Sequence, residues 1–488
     1  MSKENLKILL INPPLSGLGA YGAYSLPIGL LYLSAVLKKR GFPVKVYDAD
    51  FQHGPPKIKD ESRLEFTLRA SLYKENLKSS TIWKEIQKTV EKESPDIVGI
   101  GFETSMWESA IKTAKIVKEV NNKTPIIVGG TQPTLMPEET IKIPYFDVVV
   151  IGEGELTLLE LIIALRKGKD LKNVKGILFK KNRNIAKTLP RPFIKNLDLL
   201  PFPAKDTLIN EKDYPSYIMG SIISSRGCPY HCAFCCNAIK WKSTVRFRSP
   251  QNVVEEIEEV YHRYGTRVFS FKDATLTVDM NRVHEICDLI KKKNLHIVWN
   301  CMTRVNLVNE KLVKKMRSAG CYLICFGIES GSQEILNKMK KGITLDQIKK
   351  AVNLCKKEGI IVGTSIIIGY PGETRSTIEA TLNFLRELDP DIIAPGFATP
   401  LPRTHLYETI QEDLLTYDLS SPTFGPTIKL EDMDEEELWE YHERIIKMNH
   451  SVKKRFTRLV KSIKLIPVFE EKESMKEKAN RLIQLIKL

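Results

Sequence analysis

No cysteine occurs before residue 228 of this 488-residue chain, and the nine that follow are an odd number with four of them crowded into Cys228 to Cys236. That distribution is unlike an extracellular disulfide framework and like a reduced metal site. No stretch reaches the ~18 uninterrupted apolar residues of a membrane-spanning helix. The first residues, MSKENLKILLINPP, lack the apolar core and small-residue cleavage site of a secretory signal. From these absences a cytoplasmic chain is expected. Hydrophobic residues make up 42% and charged ones 27%, which rules out a disordered chain. At about 150 residues per domain the length allows roughly three compact units. Lysine plus arginine exceed the acids by 74 to 59, for a net charge of +15. An anionic partner is favoured, whether nucleic acid, lipid headgroups or an acidic redox protein.

Apolar β-rich runs alternate with amphipathic stretches from the start: KILLIN at 7, VKVYDAD at 44, DIVGIGF at 96, PIIVGG at 125 and DVVVIGEGE at 147. Five such strands with helical crossovers predict an α/β domain, a doubly wound parallel sheet over residues 1–165. Ligands of such sheets bind at the carboxyl ends of the strands. Those ends read Asn12-Pro13-Pro14, Thr104-Ser105, Gly129-Gly130-Thr131 and Gly152-Glu153-Gly154-Glu155. Single glycines there can simply turn the chain, whereas four small or polar rims together point to a site for a large ligand.

Residues 166–215 are rich in Lys, Asn and Pro and read as a linker with a small strand or two. A second series of strands then starts, SIISS at 221, VFSFKDA at 268, HIVWNCMT at 296, YLICFGIE at 322, IIVGTSIIIG at 360 and DIIAPGFATP at 391. Amphipathic segments separate them, so residues 216–430 are expected to form a partial barrel of six parallel strands and their helices. Residues 431–488 read as a helical C-terminal segment. Within it Val452, Phe456, Leu459, Val460, Ile463 and Ile466 share a stripe flanked by cations. Such a stripe suits peripheral membrane contact, or packing with a solvated basic face.

Cys228-Pro-Tyr-His-Cys232-Ala-Phe-Cys235 lies directly after the first strand of the second series. A structural zinc site wants four ligands, commonly as two separated pairs, and no second pair stands at a suitable spacing. Three cysteines on a cubane cluster leave the fourth iron open to a non-protein ligand.

CxxxCxxC after the first strand of a parallel barrel resembles the radical S-adenosylmethionine superfamily, over residues 216–410. The resemblance implies that Cys228, Cys232 and Cys235 hold a [4Fe-4S] cluster. It also implies that S-adenosylmethionine binds at the open iron and is cleaved to a 5'-deoxyadenosyl radical. It places Phe234 against the adenine. FGIESGS resembles the family's fourth-strand motif and implies Glu329 and Ser330 near the ribose or methionine. IIIGYPGET resembles the fifth-strand motif and implies Ile368, Gly369 and Pro371 near adenine. A literal GGE motif is absent, and FKDAT, with Asp273, stands in its position for the methionine amino group.

The N-terminal domain resembles that of the cobalamin-binding subgroup. Carried over by position, Asn12, Pro13, Pro14, Thr104, Ser105, Gly129, Gly130, Thr131, Gly152, Glu153, Gly154 and Glu155 would line the cobalamin. IVGGTQPTLMPEE carries Gln132 where relatives have a histidine. The Asp-x-His-x-x-Gly signature is missing: His53 is the sole histidine of the first 230 residues, and Asp50 precedes it by three positions rather than two. Histidine ligation of cobalt is therefore not expected, and the domain could also be empty.

The resemblance implies cobalamin-dependent methyl transfer to an unactivated carbon of a small-molecule or lipid-like substrate, after hydrogen abstraction. A flavodoxin or ferredoxin would be the electron donor. Radical cyclisation, ring rearrangement or desaturation without methyl transfer is the alternative within the class. An RNA-modifying protein is the alternative outside it, although no second cysteine triad or appended RNA-binding barrel is seen and no specific nucleic acid is expected.

Overall fold

The computed structural model describes residues 6–15, 26–51, 75–182, 184–410 and 425–449. His53 and the amphipathic stripe of residues 452–466 lie outside the described residues. The chain divides between Tyr214 and Pro215 into two compact units, and residues 425–449 belong to the second. Among the described residues no helix is long and apolar enough to cross a membrane.

In the first unit, β1 (Ile8–Asn12), β2 (Val44–Asp48), β3 (Ile97–Gly101), β4 (Ile126–Gly129) and β5 (Val148–Val150) are parallel neighbours in the order β2-β1-β3-β4-β5. Their near-continuous apolar composition follows from burial on both faces. Ile11, Val98, Ile100, Val128 and Val149 form a core with Ala110, Ala114 and Val117 of the helix Trp107–Val120. The strand order reverses between β1 and β3, so the crevice of this fold opens where those two strands end.

Of the expected linker, residues 166–214 are built into this unit. β6 (Ile177–Lys181) and β7 (Asn184–Lys187) extend the sheet as antiparallel strands beyond β5. Leu208 bridges to Val46, Thr207 Oγ1 meets Ser34 Oγ at 2.9 Å, and the Tyr214 hydroxyl donates to Asp48 at 3.0 Å. The Lys- and Asn-rich composition conceals the buried triplet Ile177-Leu178-Phe179 that makes the extension favourable.

The second unit holds β8 (Ser221–Ile222), the short antiparallel pair β9 (Ser225–Arg226) and β10 (Arg246–Phe247), then β11 (Val268–Phe271), β12 (Val298–Thr303), β13 (Cys321–Glu329), β14 (Ile361–Ile368) and β15 (Ile392–Phe397). Six of these form one parallel sheet in the order β15-β14-β13-β12-β11-β8. The crossover helices Pro250–Tyr264, Met280–Lys292, Glu310–Ser318, Leu345–Lys357 and Arg375–Leu388 start behind Ser249, Asp279, Asn309, Thr344 and Thr374. Each of those side chains accepts a backbone N–H of the first turn, a cap that stabilises a helix by about 1 kcal/mol.

The helix Glu435–Asn449 packs on the edge strand β15. Asn449 takes the place of a further strand: its amide accepts from Ile393 N at 2.8 Å and donates to Ile393 O at 2.6 Å. Beside it the buried His442 stacks on Phe397, with ring centroids 5.0 Å apart, and burial pushes its pKa down to about 4 while the Pro395 carbonyl accepts from its ring. A histidine depressed in this way adds no penalty above its unfolded value near 6.5, and its contribution is lost as the pH falls from there through 4. The chain is therefore expected to lose about 3 kcal/mol at the acid end from this group alone. Comparing urea midpoints of wild type and His442→Phe at pH 7 and pH 4.5 checks it: the acid loss shrinks in the variant.

Candidate active site

The cysteine loop leaves β9, and its geometry begins at Gly227. This residue has φ +98°, and a Cβ there would collide with the Thr244 carbonyl oxygen. Gly227→Ala is expected to cost about 3 kcal/mol from backbone strain and displacement of the loop. A lowered denaturation midpoint together with lowered iron uptake would report it.

Within the loop, Ala233 N donates to Met339 O and Leu406 N donates to Ala233 O, both at 2.9 Å, so the centre of the motif is fastened on two sides. Cys228, Cys232 and Cys235 are free and half-buried. Each has a polar neighbour. Thr275 Oγ1 lies 3.6 Å from Cys228 Sγ, Arg304 Nη1 donates to Cys232 Sγ at 3.6 Å, and Asn237 Nδ2 donates to Cys235 Sγ at 3.5 Å. Burial raises the pKa of Cys235, and the neighbouring Cys232 and Cys228 add to it. Arg304 also lies over the Tyr230 ring, 3.7 Å from its centroid, and donates to the Lys341 carbonyl.

Three thiols within eight residues of one loop, each beside a polar group, fit a cluster in which each sulfur meets a different iron, and hydrogen bonds to those sulfurs tune its potential. His231 is exposed and meets Ser243 Oγ through Nδ1 at 3.2 Å, a contact that shapes the loop.

The other expected residues of the barrel divide into two groups. Phe234 is half-buried beside the cysteines, with the Lys341 ammonium 5.8 Å from its ring. Ile368, Gly369 and Pro371 form the turn after β14, held by Glu373, which accepts from Gly369 N at 2.7 Å and Tyr370 N at 3.3 Å. Burial raises the Glu373 pKa to about 7. Asp273, Glu329 and Ser330 are instead engaged within the fold. Asp273 is buried and accepts from Ser224 N at 3.1 Å, Ser224 Oγ at 2.8 Å and Ser225 Oγ, so this carboxylate fastens the strand that leads into the cysteine loop. Glu329 pairs with Lys341 at 2.6 Å and accepts from Ser365 Oγ at 2.8 Å. Ser330 Oγ accepts from Ser332 N at 3.1 Å and meets Thr381 Oγ1 at 3.2 Å.

On the first unit's rim, Pro13 and Pro14 are buried after β1, and Asn12 donates to Asp48 at 2.8 Å. Burial raises the Asp48 pKa to about 6. Glu153 accepts from Ile194 N at 2.7 Å and Gly152 N donates to Thr134 Oγ1 at 3.0 Å. Glu155 is buried in the first turn of the helix Gly154–Arg166. Gly129, Gly130, Thr131 and Ser105 remain accessible. Between them Thr104 Oγ1 donates to Gln132 Oε1 at 2.8 Å, while the fully buried Gln132 Nε2 has no partner among the described residues. A buried orphan donor calls for an acceptor. Gly130, at φ +116°, has no room for a side chain against the Phe102 carbonyl. A donor beneath a bare backbone rim fits cobalamin, whose corrin edge carries amide oxygens.

The sequence did not single out Thr275, Asn237, Lys341, Ser365 or Glu373 as site residues. Thr275 and Asn237 had a signal in their nearness to the second strand's end and to Cys235, whereas Lys341 and Ser365 had none.

Comparison with known protein families matches the Radical SAM superfamily over residues 222–385 and a B12 binding domain over residues 17–162. An uncharacterized methyltransferase of Pyrococcus horikoshii is 36% identical over 440 residues, 89% of this chain and 90% of that protein. An anaerobic magnesium-protoporphyrin IX monomethyl ester cyclase of Rubrivivax gelatinosus is 31% identical over 367 residues, 72% of this chain and 65% of the cyclase. Among solved structures, the cobalamin-dependent S-adenosylmethionine radical enzyme OxsB, with aqua-cobalamin and S-adenosylmethionine bound, superposes with a TM-score of 0.71 at 18% identity, over 99% of this chain and 71% of OxsB.

Proposed function

The chain belongs to the radical S-adenosylmethionine superfamily, among its members with a B12-binding domain, and we propose that it transfers a methyl group to an unactivated carbon of a small-molecule substrate. The observation that carries the reading is the presence, in one chain, of three thiols with polar neighbours and a cobalamin-type rim with an orphan donor. The Pyrococcus horikoshii relative, a methyltransferase by name, supports it.

When bound, the cluster supplies the electron that cleaves S-adenosylmethionine, and cobalamin supplies the methyl group. This chain's residues do the rest. Cys228, Cys232 and Cys235 would hold the cluster, with Thr275, Arg304 and Asn237 fixing the electrostatics at the three sulfurs. Phe234 and the turn of Ile368, Gly369 and Pro371 would receive the adenine, and Glu329 and Ser330 would stand at the ribose and methionine. Asp273 positions the loop by holding Ser224 and Ser225. On the rim Gln132, Thr104, Ser105 and residues 129–131 would receive the corrin edge, with Asn12, Pro13, Pro14 and residues 152–155 framing it. The net charge of +15 suits an acidic flavodoxin or ferredoxin as electron donor.

The test is anaerobic reconstitution with iron, sulfide and hydroxocobalamin, followed by S-adenosylmethionine carrying a trideuterated methyl group and a small-molecule extract. Near-stoichiometric cobalt and a product bearing the label support methyl transfer. Cobalt without label in any product favours ring formation, the reading to which the cyclase relative lends weight. Absence of cobalt overturns both cobalamin readings. Liposome flotation of the full chain tests the lipid-surface role of residues 452–466, which fails if the protein stays unbound.

A further inference from the structure

One face of the β8–β15 sheet forms a cup whose floor is made by strand residues and by Tyr217, which precedes β8. Val268, Val298, Tyr322, Leu323 and Ile361 cluster there with Tyr217, Cys325 and Ile392, and no residue of the crossover helices takes part. Side chains alternate along a strand, and β11 pairs with β12 as Val268 with Val298 and Ser270 with Asn300. Ser270 and Asn300 therefore form the layer above the floor. Ser270 Oγ donates to Asn300 Oδ1 at 2.8 Å, and Asn300 Nδ2 donates to the Tyr322 hydroxyl at 3.1 Å.

Two residues further along these strands stand Lys272 and Met302. Phe271 and Asp273, its neighbours, face the other way: Phe271 packs on Trp299 with ring centroids 5.2 Å apart, and Asp273 takes Ser224 and Ser225. Lys272 N still donates to Ile222 O at 2.8 Å, so the extended backbone continues through it. Its side chain consequently points into the cup. Met302 is 56% exposed there, a large apolar side chain left open by the described residues. Lys272 is also exposed in the cup, and the protein crowded around it lowers its pKa. Its ammonium forms no ion pair or hydrogen bond with any described residue. The nearby carboxylates are engaged, Asp273 by the two serines and Glu329 by Lys341.

An ammonium that faces into the cup without a counter-charge is a ready partner for an anion. We propose that Lys272 anchors a carboxylate or phosphate group of a ligand bound in the cup, with Met302 covering the apolar part of that ligand. The anion has two sources, the methionine carboxylate of S-adenosylmethionine or an acid group of the substrate. The inference rests on the reading of this cup as the reaction chamber and names a recognition residue within it.

The experiment uses the reconstituted full chain with pyridoxal 5'-phosphate as the probe, an aldehyde that carries a phosphate. The lysine amine condenses with the aldehyde with loss of water, cyanoborohydride reduces the imine, and peptide mass spectrometry locates the label. Lys272 is expected among the first lysines modified. Protection by inorganic phosphate, with unchanged S-adenosylmethionine affinity in Lys272→Met, assigns the anion to the substrate. Protection by S-adenosylmethionine, with its affinity weakened about ten- to hundredfold in Lys272→Met and largely kept in Lys272→Arg, assigns it to the methionine carboxylate. Slow labelling of Lys272, or labelling that neither compound reduces, overturns the proposal. Iron content of each variant controls for folding. Because labelling needs no turnover, its failure is separate from a failure to methylate any substrate.

Discussion

Cys232→Ala is expected to strip the chain of its cluster. Iron falls from about four atoms per chain to below one, and reductive cleavage of S-adenosylmethionine falls to the level seen without enzyme. The size of the effect follows from the ligand count. The motif supplies three thiols, and removing one leaves two, fewer than the cluster needs. Cys236 lies outside the three-cysteine motif and stands at the start of the short helix Asn237–Trp241, so Cys236→Ala should keep its iron. Iron and sulfide analysis of both variants decides the assignment, since loss in Cys236→Ala with retention in Cys232→Ala would reverse it. Arg304→Met separates holding from tuning. Its guanidinium contacts Cys232 Sγ and the Lys341 carbonyl, so removing that positive charge should leave iron in place and shift the reduction potential negative, because the reduced cluster carries the greater negative charge.

Sequence reading succeeded where the signal is local. KILLIN and VVV are buried on both faces and read as strands without help from distant residues. The amphipathic segments between the later strands are helices as expected, and their starts behind Ser249 and Thr344 are fixed within one turn by capping. The cysteine motif is equally local. Asp273 shows where local reading ends. At a strand terminus it has the look of a ligand contact, and only the fold brings Ser224 and Ser225, 49 and 48 positions away, onto its oxygens. Gln132 was visible as a departure from a motif, but its orphan nitrogen depends on Thr104 taking the other end of the amide. A small strand or two was expected in 166–215, but that 177–187 would extend the sheet was hidden because the outward residues there are Lys and Asn, and only three apolar side chains reach the core.

Lys341→Met is expected to destabilise the second unit by about 3–5 kcal/mol. Lys341 Nζ and Glu329 Oε1 are 2.6 Å apart, and their side chains are 7% and 8% exposed. Removing the ammonium leaves a buried carboxylate that still accepts from the Ser365 hydroxyl at 2.8 Å, and that uncompensated charge is the main cost. Glu329 also sits at φ +64°, where β13 shifts register against β14, a conformation that costs a non-glycine residue about 1–3 kcal/mol. The surrounding contacts must over-determine it. Replacing both partners, Glu329→Leu with Lys341→Met, removes the isolated charge and should recover most of the loss, because a buried ion pair exchanged for apolar groups is often near neutral. Urea midpoints of the single and double variants measure this coupling. The double variant then separates two roles of Glu329. If it regains stability but no longer binds S-adenosylmethionine by equilibrium dialysis, the carboxylate faces the ligand as well as the lysine. If it regains both, the strained acid at the end of β13 serves the fold alone, and recognition at that position falls to the backbone and to Ser330.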